Sequence, residues 1–113
     1  MNKRQLGSRY EQLAAAHFEK RGCIVLEKNY RCRQGEIDLI CRDKQYLVFA
    51  EVKYRRSEAY GSPAEAVDCR KQKRIREAAR YYMYSHRMGE DTPCRFDVVS
   101  ILGDRIEVIE NAF

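Results

Sequence analysis

An α/β fold, with one mixed central sheet flanked by helices, is what this 113-residue sequence predicts. Three observations carry it. Residues 3–21 repeat apolar side chains at helical spacing. From Cys23 to Tyr54 apolar and polar residues then alternate in three runs, divided by short polar turns. A capped helical segment follows, and two more strand-like runs meet at Gly103-Asp104, a strong hairpin signal. The order is αβββαββ in a single domain over 1–113.

In the first helix Leu6, Tyr10, Leu13, Ala14, His17 and Phe18 form one apolar stripe, and Arg21-Gly22 supplies the stop. His17 on that stripe reads as a packed histidine rather than a ligand. Glu11 falls on the border of the stripe, near Phe18. Cys23–Tyr30 is the first strand, and Arg31–Gly35 a basic turn. Glu36–Arg42 and Tyr46–Tyr54 form an antiparallel hairpin across Asp43-Lys44-Gln45. Strict alternation puts Ile37, Leu39 and Cys41 on one face, opposite Glu36, Asp38 and Ile40. On the third strand Phe49, Glu51, Lys53 and Arg55 share a face opposite Val48, Ala50 and Val52.

Arg55–Gly61 is a polar loop. Ser62-Pro63-Ala64-Glu65 is a capping box with proline at the first helical position, so a short helix is expected there. Asp68 caps a second, longer helix to about Arg87, closed by Gly89. Its buried stripe is Ile75, Ala78, Ala79, Tyr82 and His86, with Gln72 one turn earlier on the same side. Arg95–Leu102 and Arg105–Ile109 are the last strands.

Composition narrows the class. Hydrophobic residues make up 44% and charged residues 35%, which favours a folded, well-solvated globule over disorder. No apolar run approaches the roughly 20 residues of a membrane span. The start, MNKRQLGSRYEQ, has no apolar signal core, so cytoplasmic residence is expected. Five cysteines, odd in number and without a CxxC pair, read as free thiols. The net charge is +5, and it is uneven. Between Lys53 and Arg87 ten Lys and Arg face four acids, a net of +6, which leaves −1 for the rest. Such a segment suits a polyanionic partner, though a solvated helix face would look the same.

The chemistry is in "GEIDLICRDKQYLVFAEVKYR", Gly35 to Arg55. Asp38 stands in one strand, and Glu51 and Lys53 in the next. An antiparallel pairing sets the two carboxylates side by side, where they repel unless a cation joins them. Mg²⁺ takes oxygen ligands of this kind, together with water and phosphate. Lys53 shares the face of Glu51, so its ammonium can hold water or balance a phosphate. These are the parts of a metal-assisted phosphodiester hydrolase. The plainer alternative is a cross-strand ion pair on a solvated face. The apolar flanks "IDLI" and "LVFAEV" argue against it, because they place the acids in a covered sheet.

"GEIDLI…VFAEVK" resembles the PD-(D/E)xK signature of restriction-endonuclease-like nucleases, with Glu36-Ile37-Asp38 at the position of their Pro-Asp. "GSRYEQLAAAHFEKRG" is similar to the first helix of archaeal Holliday-junction resolvases, with Glu11 at their acidic position. Nearly the whole chain, including "YGSPAEAVDCRKQKRIREAARYYM", resembles the YraN family of small bacterial proteins. The resemblance implies a restriction-endonuclease-like fold and a Mg²⁺- or Mn²⁺-dependent endonuclease acting on branched or structured DNA. It implies Asp38 and Glu51 as metal ligands, with the Val52 carbonyl and Glu11 completing the set. It implies Lys53 as the group that positions water, and Gln72 as an amide that orients substrate or water. Glu36 departs from the superfamily's proline, and either metal binding or pairing with a nearby arginine fits it. Arg55, Arg56, Arg70, Lys71, Lys73 and Arg74 are expected on phosphates, setting position rather than sequence. A non-catalytic nucleic-acid-binding module of the same fold is the alternative. Symmetric cutting of two strands would call for a homodimer, and no interface signature marks one.

Overall fold

The structure, a computed structural model, describes residues 3–56 and 67–113, with side chains from residue 9 onward. It is a five-stranded mixed sheet between two helices, in the order αβββαββ. The elements are α1 (Lys3–Lys20), β1 (Ile24–Cys32), β2 (Gly35–Asp43), β3 (Tyr46–Arg55), α2 (Cys69–Ser85), β4 (Cys94–Leu102) and β5 (Arg105–Ile109). The short helix expected from Ser62 lies outside the described residues.

The strands lie in chain order across the sheet. All neighbours are antiparallel except β3 and β4, which run parallel from Leu47↔Cys94 to Arg55↔Leu102. Parallel neighbours need a long crossover, and the segment carrying α2 provides it. Each helix covers one face. Ala14, Ala15 and Phe18 of α1 pack on Leu39, Cys41, Val48, Ala50, Val99 and Ile101. Ile75, Ala78, Ala79 and Tyr82 of α2 pack on Ile37, Ile40, Leu47, Phe49 and Val98. The sheet is thus buried on both faces, so its central strands read as nearly continuous apolar runs.

Three expectations change in this packing. On α1 the buried stripe is rotated, so that Ala15 is buried while Leu13 is 41% exposed. Small alanines let the helix sit close to the sheet, and that sets its rotation. On α2 His86 is not a core residue. It is the exposed C-cap, its ring stacked on Tyr82 with centroids 4.0 Å apart. On β2 strict alternation fails at Asp38, because Ile37 packs in the α2 layer with Ile40 rather than with Leu39.

Asp68 caps α2 as expected, its Oδ1 accepting the Lys71 N–H at 2.8 Å. Asp68→Ala is expected to cost about 1 kcal/mol. Urea unfolding measures this, and Asp68→Asn should restore most of it.

Candidate active site

The β2–β3 ladder runs from Asp43↔Tyr46 to Leu39↔Ala50 and stops. Both strands continue, but each with its outer neighbour: β2 with β1 as far as Gly35, β3 with β4 as far as Arg55. The two halves of the sheet therefore part at one end. Asp38 is the first residue beyond the last β2–β3 pair. Its carboxylate does what a backbone carbonyl no longer does, accepting the Val52 N–H at Oδ2, 2.8 Å away. Along a strand the N–H and C=O of one residue leave toward the same neighbour. The Val52 carbonyl is thereby turned to the same opening.

Glu51 stands beside Asp38, 6% exposed. Burial and the neighbouring Glu51 carboxylate push Asp38 up from the usual carboxylate range to about 7, against the Val52 N–H bond and the Lys71 charge. The Lys71 ammonium lies 2.5 Å from Glu51 Oε1. Lys53 is half-buried next to them, and desolvation with the Lys71 charge lowers its pKa. On Glu11, at the rim of α1, burial and the Asp38 charge raise the carboxyl pKa, while a hydrogen bond from Asn29 opposes them. Two carboxylates, a third nearby and two ammonium groups thus share one site. Of these, Asp38, Glu51 and Lys71 line a cleft of about 810 Å³, whose wall also includes Arg33, Glu36, Arg70 and Arg74.

The donor set suits a hard divalent cation. It offers adjacent carboxylate oxygens with a carbonyl turned toward them, and such ions take one or two carboxylates with water and phosphate. The repulsion within the pair is what a cation relieves, and Lys71 relieves it in this structure. Among the described residues no three His, Cys, Asp or Glu side chains converge as a metal group. Asp38 and Glu51 stand as a pair, and Glu11 is near enough for its charge and that of Asp38 to act on each other.

The other expected residues divide. Arg70, Lys71 and Arg74 line the cleft. Lys73 is exposed on α2. Arg55 lines a separate cavity with Ser100 and Arg105, and Arg56 is exposed at the end of β3. Gln72 directs its Nε2 to the Val67 carbonyl at 2.9 Å, which ties down the start of α2. Glu36, open to two readings from sequence, pairs with Arg31 at 3.7 Å while lining the cleft.

One member of the site went unassigned in the sequence, and another was given a different partner. Arg33 comes from the β1–β2 turn. Lys71 was expected on phosphate, but it contacts a carboxylate. A signal for it existed: the first turn of α2 has no acid and carries Arg70 and Lys71. Cations there oppose the helix dipole, so they need an anionic partner. Gly35 lets the chain pass close to α2, since a Cβ there would stand 3.2 Å from the Arg74 carbonyl oxygen.

The chain matches the model of the uncharacterised protein family UPF0102 over residues 10–101. A UPF0102 protein of Lachnoclostridium phytofermentans is 49% identical over 113 residues, covering 100% of this chain and 96% of the relative. Those of Nitrosomonas europaea (48% over 110 residues, 95% and 92%) and Saccharophagus degradans (44% over 109 residues, 96% and 92%) are similar over nearly their whole lengths.

Proposed function

The chain belongs to the UPF0102 family, and from the chemistry of its cleft we propose that it is a metal-dependent nuclease of the PD-(D/E)xK type, hydrolysing phosphodiester bonds in branched or structured DNA. The observation that carries the reading is the pair Asp38 and Glu51, held side by side where the sheet parts and walled by arginines. Nothing in the packing of a small core calls for two adjacent carboxylates. Their mutual repulsion costs stability, and sites that bear such a cost are often functional.

Mg²⁺ or Mn²⁺ on Asp38, Glu51 and the Val52 carbonyl would supply Lewis-acid charge for the hydrolysis. The protein supplies the rest. The Lys53 ammonium orients the attacking water and faces the charge that develops on the phosphate. Lys71, now paired with Glu51, would be free to meet phosphate once that pairing is given up. Arg33, Arg70 and Arg74 hold flanking phosphates and fix the position of the backbone without reading bases. Glu11 adds negative charge at the rim, which favours the cation.

The reading is tested by incubating labelled duplex and branched DNA with purified protein and Mg²⁺, Mn²⁺ or chelator. Activity must co-elute with the protein and disappear in Asp38→Asn. Binding without cutting, equal in both proteins and on every substrate, would leave the non-catalytic binding module as the better account.

The arginine wall has its own expected result. Phosphate contacts release counterions, so affinity should fall steeply with salt. Arg70→Ala with Arg74→Ala should weaken binding to all sequences alike and flatten the log–log salt slope by about two. An unchanged slope would remove these two residues from the interface.

A further inference from the structure

Two tyrosines on α2 serve no core. Tyr81 is 44% and Tyr84 81% exposed. With Gln34, Glu77 and Arg80 they line a shallow, largely apolar groove of about 330 Å³. Along α2 the residues Arg70, Arg74, Glu77, Tyr81 and Tyr84 follow one another at steps of four, three, four and three, which makes a single ridge. Its first part, Arg70 and Arg74, lines the carboxylate cleft, and its second part lines the groove. Gln34 lines both, so the groove continues the cleft. From Arg70 to Tyr84 the ridge is about 21 Å long at 1.5 Å per residue.

We infer that an unpaired DNA strand leaving the cleft lies along this ridge, its bases stacked on Tyr81 and Tyr84 and its phosphates held by Arg74 and Arg80. The inference rests on the nuclease reading and narrows its substrate to DNA with a single-stranded arm beside the scissile bond. Bases inside a duplex stack on one another and offer no face to a side chain. Unpaired bases offer both faces, and exposed aromatic rings next to cations are how proteins take them. The charge around the groove favours this occupant over an apolar protein segment, because Arg80 borders it and Arg74 and Arg33 stand where it meets the cleft. Glu77, the one acid lining the groove among the described residues, keeps phosphates off its floor and leaves the bases to meet the rings.

The test uses the full chain in chelator, so that nothing is cut. It compares a labelled single strand, a blunt duplex, and a duplex bearing a single-stranded arm with 2-aminopurine in the arm. Tyr81→Ala with Tyr84→Ala should lower affinity for the single strand and the armed duplex about ten- to a hundredfold. It should also abolish the fluorescence change of the arm, and leave the blunt duplex within about twofold. Tyr81→Phe with Tyr84→Phe should keep wild-type affinity, since stacking needs the ring and not the hydroxyl. Both positions are exposed, so the helix tolerates either change, and far-UV circular dichroism verifies it. Equal loss on the blunt duplex overturns the inference, and so does no loss on any DNA, the result expected if the groove takes a protein. The nuclease reading is judged separately, by metal-dependent cutting in wild type against Asp38→Asn. Continued cutting together with unchanged arm binding sinks the inference alone.

Discussion

Asp38→Asn is expected to abolish metal-dependent cleavage and, in chelator at pH 8, to raise the melting temperature. Both effects come from the same geometry. The carboxylate stands against Glu51 in a half-covered site, where burial and its neighbour hold it protonated up to about pH 7. In the unfolded chain it ionises near its ordinary value of 3.8. Between those values the folded state binds the extra proton, so stability falls as pH rises through the window and stays reduced above it. Asparagine removes the charge and keeps an acceptor for the Val52 N–H. The variant should therefore gain on the order of 1–3 kcal/mol at pH 8 and little at pH 4, at the foot of the window. Cleavage should fall by at least about a hundredfold, because a preorganised charged group at the reacting centre is lost. Mn²⁺ should raise the melting temperature of wild type and leave the variant unmoved. Lys53→Ala separates the roles. It removes no oxygen donor, so Mn²⁺ should still stabilise it while cleavage drops. A variant of Asp38 that cuts as wild type does, or that is less stable than wild type in chelator at pH 8, would refute the site as described.

Asp97→Ala should be the most destabilising single change outside the apolar core, by about 3 kcal/mol. Asp97 is 0% exposed on β4. It receives the Arg95 guanidinium through Nε and Nη2 at 3.0–3.1 Å, and the Asn111 N–H at 3.0 Å. Arg95 also reaches Asp43 at 3.0 Å. Removing Asp97 leaves a nearly buried guanidinium with Asp43 as its main anion, and frees the Asn111 N–H. The residues after β5 then lose an anchor, though the Ala112 N–H still meets the Phe96 carbonyl at 2.7 Å. For a domain of this size the loss should lower the melting temperature by about 10–20 °C. Asp97→Asn should recover part of it by accepting the Asn111 N–H. A urea midpoint that barely moves in Asp97→Ala would show that Asp43 alone satisfies Arg95.

The sequence by itself determined the elements and their order. Helical spacing in residues 3–21, alternation in the three strand runs, Asp68 before α2 and Gly103-Asp104 between β4 and β5 are all local signals. Each acts over a few residues, so each can be read along the chain. The same local reading singled out Asp38, Glu51 and Lys53, because charges in apolar strands stand out wherever those strands end up. Only the tertiary structure decided where the β2–β3 ladder stops, that β3 pairs in parallel with β4, that Lys71 rather than Gln72 meets Glu51, and that Arg95 and Asp97 bury each other. These depend on residues far apart in sequence, whose meeting is set by how two helices close over opposite faces of one sheet. Alternation predicts which face a side chain takes only while the ladder is regular. At Asp38 the ladder ends and a side chain replaces a carbonyl as acceptor, so the local rule fails at the residue on which the proposed chemistry depends.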